Sequence, residues 1–449
     1  MNRLILLLIS MSCTIVSAQC FEKVASGFDH NLAIKQDGTL WSWGSNDAYQ
    51  LGDPSIEGSD YPMQIHSSGW TDIAGGANHS LGIKDGKLYS WGNDQYEQLG
   101  NGSNVGQHYP QQIGADTNWK QVTAGMWHSA AIKTDGTLWT WGSNWYGSLG
   151  LGWDVTYEAP APQQVGTDTN WKYVSGTYTH CVAVKTDGTL WAWGNAQGVG
   201  GNSGLGSSPV QADGNNWKIA EAGQNFIVAI KNDGTLWVWG GLFGTNTFSQ
   251  VGFATDWATI SVNKGSTNQG YNRYFLLTTT NGKLYSWGSD NYEQLGNGPG
   301  IQDNSVPTQI GTDMTWTSTT ATTWGSFAIK ADGTFWVWGR TCMDLNDNCA
   351  SNTPVALPVQ YSCSVLSVND DHQGKRFLIY PNPVKAILNL DLNNDIVIDE
   401  ITITDITGKS VIEHLKNSRQ INVECLTQGV YFIKVHAGEK EWRQKFIKN

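Results

Sequence analysis

Apolar residues along this chain fall into short alternating runs, and one run returns seven times. Its first copy is Asp37-Gly-Thr-Leu-Trp-Ser-Trp-Gly44, and the others occupy 85–92, 135–142, 187–194, 233–240, 281–288 and 332–339, at steps of 48, 50, 52, 46, 48 and 51 residues. The alternating Leu-Trp-x-Trp core predicts a strand that presents large side chains to both faces. Asp-Gly ahead of it, Asn281-Gly282 in the sixth copy, is the pair that a two-residue hairpin turn favours, because glycine accepts positive φ. A second apolar run precedes each turn, as in Ser129-Ala-Ala-Ile-Lys133, and a third lies earlier, as in Trp119-Lys-Gln-Val-Thr-Ala-Gly125. A fourth follows a proline, in Pro110-Gln-Gln-Ile113, Pro162-Gln-Gln-Val165 and Pro307-Thr-Gln-Ile310. Four short strands in about 50 residues are the makings of a propeller blade.

A blade apolar on both faces must pack between two neighbours, so seven copies without polar end caps predict a closed seven-bladed β-propeller in an all-β chain. Of the 23 tryptophans, 18 stand at repeat positions: 12 in the strand phrase and six at the start of the preceding strand (Trp70, Trp119, Trp171, Trp217, Trp257, Trp316), which assigns them to packing between blades. The first strand, Phe21-Glu-Lys-Val-Ala25, has no Pro-x-Gln strand before it, and Pro358-Val-Gln-Tyr361 is left over after the last phrase. The expectation is that these two share one blade, with a Cys20–Cys363 disulfide as clasp.

The ends read differently. Met1 to Ala18 has a positive start at Arg3, an apolar stretch from Leu4 to Ile9 and a small-residue exit Val16-Ser17-Ala18, too short to span a bilayer and consistent with a signal peptide cleaved after Ala18. Residues 19–363 form the propeller and 364–375 a polar linker. Residues 376–449 alternate apolar and polar positions in short strands around a Thr407-Gly-Lys409 turn, which predicts a small β-sandwich. No later segment is apolar enough to span a membrane. Residues 19–363 carry 15 Lys+Arg against 28 Asp+Glu, a balance of −13, whereas residues 376–449 carry 10 against 9, a balance of +1. So acidic a body repels phosphate backbones and speaks against nucleic acid. In an exporting context disulfides persist, and Cys342 with Cys349 forms a second candidate pair.

Gly125-Met-Trp-His128-Ser129, the seven strand phrases, and Tyr96-Glu-Gln-Leu-Gly100 and Tyr292-Glu-Gln-Leu-Gly296 resemble the RCC1 repeat, over about residues 20–363. The resemblance implies a seven-bladed propeller; nucleotide exchange, the activity of nuclear members on a small GTPase, does not transfer to an acidic exported chain. Exported bacterial propellers of this type are the better guide, and at least one kind binds and inhibits β-lactamases. Blade five lacks a clear Gln-Leu-Gly segment, and blade seven has Arg340-Thr-Cys-Met-Asp-Leu-Asn-Asp-Asn-Cys349 there. Tyr380-Pro-Asn-Pro383, Asp405-Ile-Thr-Gly-Lys409, Leu426-Thr-Gln-Gly-Val-Tyr-Phe-Ile-Lys-Val435 and Lys445-Phe-Ile-Lys-Asn449 resemble the type A sorting domain of the type IX secretion system of Bacteroidetes. That resemblance implies passage through the periplasm, secretion or surface display, and the secretion machinery as partner of residues 376–449.

Candidate chemistry is sparse. His30, His79, His128 and His180 recur at one point of blades one to four, but Phe226, Tyr274 and Gly325 replace them in blades five to seven. Neither charge nor ligation is then the shared need, and side chain-to-backbone bonding is the expected role. Cys181, where other blades hold Ser, is expected to be a buried free thiol. Asp344, Asn346 and Asn348 alternate as calcium-loop ligands do, but Cys349 stands where the turn glycine belongs, so calcium is the lesser reading and no metal site is assigned. No nucleophile–base–acid set or His-Glu-x-x-His appears, and no cofactor is assigned. One residue ahead of the His position the blades read Asp29, Asn78, Trp127, Thr179, Asn225, Arg273 and Trp324. Packing positions repeat and this one does not, so it predicts a ligand-binding face carrying Trp127, Arg273 and Trp324 with Asp29, Asn78 and Asn225. Trp145, Tyr146 and Trp153 form a separate second patch. The reading that results is a non-enzymatic scaffold for an extracellular protein or glycan; the alternatives are a polysaccharide-active propeller enzyme and a structural adhesin with no single site.

Overall fold

A computed structural model describes residues 21–152, 157–195, 206–240, 245–264, 273–300, 303–340, 354–361, 378–380, 384–391, 398–405, 409–415, 418–438 and 440–448. The signal segment, the linker, Cys20, Trp153, Cys342, Asp344, Asn346, Asn348, Cys349 and Cys363 lie outside them, and so do both expected disulfides. The chain divides into two compact units, Met1–Val365 and Leu366–Asn449.

In the first unit β1 (Lys23–Ser26), β2 (His30–Ile34), β3 (Leu40–Ser45) and β4 (Gly58–His66) make one antiparallel sheet in chain order. Six further four-stranded sheets repeat it, beginning at Trp70–Gly75, Trp119–Ala124, Trp171–Gly176, Trp217–Gly223, Trp257–Val262 and Trp316–Ala321, so seven blades are present. The expected strand exchange at the closure does not occur. β1 pairs with β2 of its own blade, and Val355–Tyr361 pairs with Phe335–Gly339 as the fourth strand of blade seven. Pro358 is not left over, because Pro62-Met-Gln-Ile65 in β4 is the matching strand of blade one. First and last blades meet instead through faces. Phe21 lies edge-on to Phe335 at 5.2 Å and Trp43 to Phe327 at 5.7 Å, and Thr320 Oγ1 donates to the Val24 carbonyl at 2.9 Å.

The turns also differ from expectation. Of the seven Asp-Gly or Asn-Gly turns only Asp85-Gly86 is a two-residue turn, both residues at positive φ (50° and 74°), with Lys84 paired to Lys87. Where one more residue precedes the Asp-Gly, as at Gln36, the loop has three residues: Lys35 N–H bonds to Thr39 O at 3.1 Å and only Gly38 is left-handed (φ 76°). The aspartate then accepts from Thr39 N–H and Oγ at 2.9 and 2.6 Å, an Asx turn.

The core lies between blades. Leu81, Ile83 and Leu88 of blade two pack with Trp119, Val122 and Trp141 of blade three, and equivalent groups join blades three to four through six to seven. Of the 18 repeat tryptophans, 13 are buried and the other five (Trp139, Trp191, Trp237, Trp287, Trp336) are half-buried, so their packing role holds. Each fully buried indole removes about 200 Å² from water, roughly 5 kcal/mol gross. Outer strands carry Pro62, Pro110, Pro162, Pro209, Pro307 and Pro358, which withhold an N–H from an exposed edge and discourage pairing with other chains.

The second unit has two sheets. One runs Leu378–Tyr380, Ile387–Asp391, Gln420–Asn422, and the other Ser410–Leu415, Glu400–Asp405, Gly429–Ala437, Lys440–Lys448. Alternation sends Ile401, Ile403, Ile433 and Val435 inward onto Leu388, Leu390 and Ile421, the sandwich the pattern called for.

Candidate functional site

The loops between first and second strands form one end of the ring, and a repeated latch fixes them. In each Gly-x-x-His the ring folds back over the glycine: a Cβ on Gly125 would overlap His128 Cε1 and the Thr177 carbonyl of the next blade. The far ring nitrogen reaches the neighbouring blade, His30 Nε2 to Ser80 Oγ at 2.9 Å, His79 Nε2 to Ser129 Oγ at 3.1 Å and His128 Nε2 to Cys181 Sγ at 3.2 Å. Ser80 and Ser129 donate in turn to the Gln50 and Gln98 carbonyls of the preceding blade at 2.7 and 2.8 Å, where Trp91 and Trp141 indoles also donate at 2.9 and 3.0 Å. With each serine proton committed, Nε2 carries the histidine hydrogen. Burial lowers His30, His79 and His180 to about 3 and His128 to about 4, so the rings stay neutral. The expected backbone partner is therefore replaced by a side chain of the adjacent blade. Tyr274 takes this place in blade six: its hydroxyl donates to the Gly325 carbonyl, accepts from Thr322 N–H at 3.0 Å and lies 3.1 Å from Ser326 Oγ, whose proton goes to the Gln294 carbonyl at 2.7 Å, while Phe226 packs on Phe275. Cys181 is buried and free, its thiol pushed up to about 12 by burial.

The His30, His79 and His128 latches belong to blades one to three; His180 makes no such bond among the described residues, and blades five and seven have Phe226 and Gly325 there. In all seven blades the variable residue lies directly before the second strand. Asp29 and Asn78 are exposed; Trp127, Asn225, Arg273 and Trp324 are half-buried. They do not form one surface of equal character. Trp324 donates its indole N–H to Asp29 Oδ1 at 2.9 Å across the seam between blades seven and one, so both serve closure. Trp127 joins a group that sequence reasoning split in two: it lies 5.2 Å from Trp145, 5.1 Å from Tyr96 and 5.9 Å from Tyr178. Trp145, from the separate second patch, is thus part of the first, because the Gln-Leu-Gly turn opens toward the same end of the blade as Gly-x-x-His; Trp153 lies outside the described residues. Trp145 is 40% exposed and Tyr146 53%, the latter at φ 65°. Tyr96 and Tyr178 are not among the residues the sequence points to, although Tyr96 opens the Tyr-Glu-Gln-Leu-Gly phrase of blade two.

Beneath this group Asp94 caps its turn, accepting from Leu99 N–H at 2.8 Å as Asn46 accepts from Leu51 N–H at 2.9 Å. Asn46 also donates Nδ2 to the Asp53 and Ile56 carbonyls, both at 2.7 Å, whereas the Asp94 carboxylate cannot donate to carbonyls and its buried Oδ2 has only the Asn101 side chain to favour its charge. Burial raises Asp94 to about 7. A carboxyl raised on folding stabilises fully below its ordinary value of 3.8, and that contribution is lost as pH climbs to and past 7. Asp94→Asn is expected to raise stability at pH 8 by about 1–3 kcal/mol, with a much smaller gain at pH 5. Chemical unfolding at both values checks this, and an equal gain at the two contradicts it.

Two other regions are occupied structurally. The first strands line an axial channel of about 210 Å³. Its polar groups bond neighbouring blades: Lys23 pairs with Asp72, Asp72 Oδ2 accepts from Val122 N–H at 2.8 Å, Tyr173 donates to Glu221, and Ser261 Oγ accepts from Ala321 N–H at 2.8 Å. A few hundred Å³ is the lower bound for a ligand pocket, so the channel is an inner seam. At the opposite end Lys133, Lys185 and Lys330 each sit between two indoles, 3.8 Å from one and 4.5–4.6 Å from the other, and pair with Asp116, Asp168 and Asp313. Among the described residues no three His, Cys, Asp or Glu form a group able to hold a metal ion, and no helix is long and apolar enough to cross a membrane.

Comparison with known proteins agrees with the architecture. The regulator of chromosome condensation (RCC1) repeat matches residues 37–83, 85–132, 135–184 and 281–329, and a second form of it matches 21–50 and 119–148. The secretion system C-terminal sorting domain matches residues 378–449. Human WBSCR16 shares the fold at 21% identity and TM-score 0.59, over 68% of this chain and 85% of that one. Prp20p of Saccharomyces cerevisiae, described with its binding to Gsp1p and histones, does so at 17% and 0.60, over 81% and 90%. Yeast RCC1 (Prp20) in complex with Kap60 gives 18% and 0.60, over 81% and 87%.

Proposed function

We propose, for a chain whose first unit is a propeller of RCC1 repeats and whose residues 378–449 are a secretion-system sorting domain, that the propeller is a non-enzymatic binding scaffold delivered outside the cell by type IX secretion. Its ligand is an extracellular protein or glycan, held on the Gly-x-x-His end of the ring. The observation that carries this reading is the contiguous group of Tyr96, Trp127, Trp145 and Tyr178 with Tyr146 beside it, aromatic surface left in water at a position the packing does not require. Rigid rings on a latched scaffold lose little entropy on binding.

Immobilised protein is expected to enrich a specific component of the extracellular fraction. Trp127→Ala, Trp145→Ala and Tyr146→Ala together are expected to lower that capture by about ten-fold or more. Trp324→Phe, which removes the closure hydrogen bond and trims the ring that meets Tyr292 and Arg340, keeps it. Undiminished capture by a folded triple variant would refute the assignment.

A further inference from the structure

The ring contains one Tyr–Trp pair twice. In blades six and seven Tyr292 and Trp324 meet edge-on at 5.0 Å, and Arg340 holds its guanidinium 5.8 Å from the first ring and 5.6 Å from the second. In blades two and three Tyr96 and Trp127 meet at 5.1 Å. The surrounding backbone is the same: Arg340 N–H donates to the Trp324 carbonyl at 3.0 Å, and Ser143 N–H to the Trp127 carbonyl at 2.9 Å. Blade three therefore has Ser143 where blade seven has its cation. Trp145 supplies a third ring instead, 5.2 Å from Trp127 and 5.4 Å from Tyr96, and reaches solvent.

The charges around the two pairs differ in the same sense. Glu97 follows Tyr96 in the chain, and Glu158 pairs across the sheet with Ser143. Burial, and then the charge of Glu158, raise the Glu97 carboxyl above its usual range. Among the described residues neither glutamate forms an ion pair, and no Lys or Arg stands over Tyr96, Trp127 or Trp145. The stretches of residues 21–361 outside the described set contain no Lys or Arg either. The three rings are mutually inclined by 47°, 62° and 76°, which offers no flat platform for a sugar but gives a cation π-electron density from several sides.

The geometry points to a cation clamp: an arginine or lysine side chain on a basic segment of a partner protein lies against Tyr96, Trp127 and Trp145 and pairs with Glu97 or Glu158. This rests on the binding face proposed above and names the chemistry it selects. The net charge of −13 over residues 19–363, 15 basic against 28 acidic, draws such a segment in.

The test uses the full chain and a fluorescein-labelled decapeptide of alternating Arg and Gly, read by anisotropy, with a Gln–Gly peptide and cellohexaose alongside. The Arg peptide is expected to bind and to weaken with salt, and the Gln peptide not to bind. Trp145→Ala, and separately Glu97→Gln with Glu158→Gln, are expected to weaken Arg-peptide binding about ten-fold or more. The glutamine pair leaves every ring in place, so a folding defect in the tryptophan variant does not decide the matter. Equal binding to both variants, or no binding, overturns the clamp, as does cellohexaose binding that the tryptophan variant alone loses. Loss of extracellular capture in the triple aromatic variant without Arg-peptide binding would keep the binding face and discard the cation.

Discussion

Replacing Gly125 with alanine is expected to cost the propeller about 3 kcal/mol or more, because the new methyl has nowhere to go. It would overlap the His128 ring on one side and the Thr177 carbonyl of the next blade on the other, and neither is the free end of a flexible chain. Moving His128 breaks its contact with Cys181, and moving residue 177 parts blade three from blade four. Gly214→Ala is the control: a Cβ there meets nothing within 4 Å, so its cost should stay within about 0.5 kcal/mol. Chemical unfolding of the two variants decides it. A loss below about 1 kcal/mol at Gly125 contradicts the latch as the reason for the motif.

Removal of residues 376–449 is expected to hold the propeller inside the envelope and reduce its extracellular amount to background. The sorting unit has its own core, built from Leu388, Ile401, Ile403, Ile433, Val435 and Phe446, so its loss should leave the propeller folded. Cell fractionation with an antibody to the propeller reads the outcome. The reciprocal experiment fuses residues 366–449 to a carrier protein with a signal peptide, which should then appear outside. A truncated chain released normally would remove the export half of the account. The mature protein is expected to begin after Ala18 and to end between residues 364 and 375, which intact mass measures.

The fold was legible because packing demands repetition. Every blade needs a large apolar residue, an aromatic and a Trp at alternating positions to fill both faces, so the phrase survives seven times, as Leu-Trp-x-Trp in four copies, Leu-Tyr-Ser-Trp in two and Phe-Trp-Val-Trp in one. What misled was phase. The sequence repeat, as in the match over 37–83, takes the last two strands of one blade and the first two of the next, whereas a blade runs from Lys23 to His66. Counted by the phrase, Phe21–Ala25 and Pro358–Tyr361 look unpaired; counted by sheets, each completes its own blade. The histidines were read as structural, but a single-blade view could not supply the serine of the neighbouring blade as their partner. The site was half legible for the same reason. Aligning the residue before each His found Trp127, but its contact with Tyr96 and Trp145 joins two blades and two loops, which no spacing along the chain displays. Trp324 has a second reason to vary that spacing does not display: it is engaged with Asp29 at a closure that occurs only once in the ring.

The central claim is that an exported propeller binds with its Gly-x-x-His end, and hydroxyl-radical footprinting of the captured complex tests it most directly. Trp127, Trp145 and Tyr146 should lose reactivity when ligand is bound, while Tyr61 and Tyr109 on the outer strands, both 55% exposed, keep theirs. Protection confined to the outer strands or to the Asp-Gly hairpins, with Trp145 and Tyr146 as reactive as in the free protein, would contradict it.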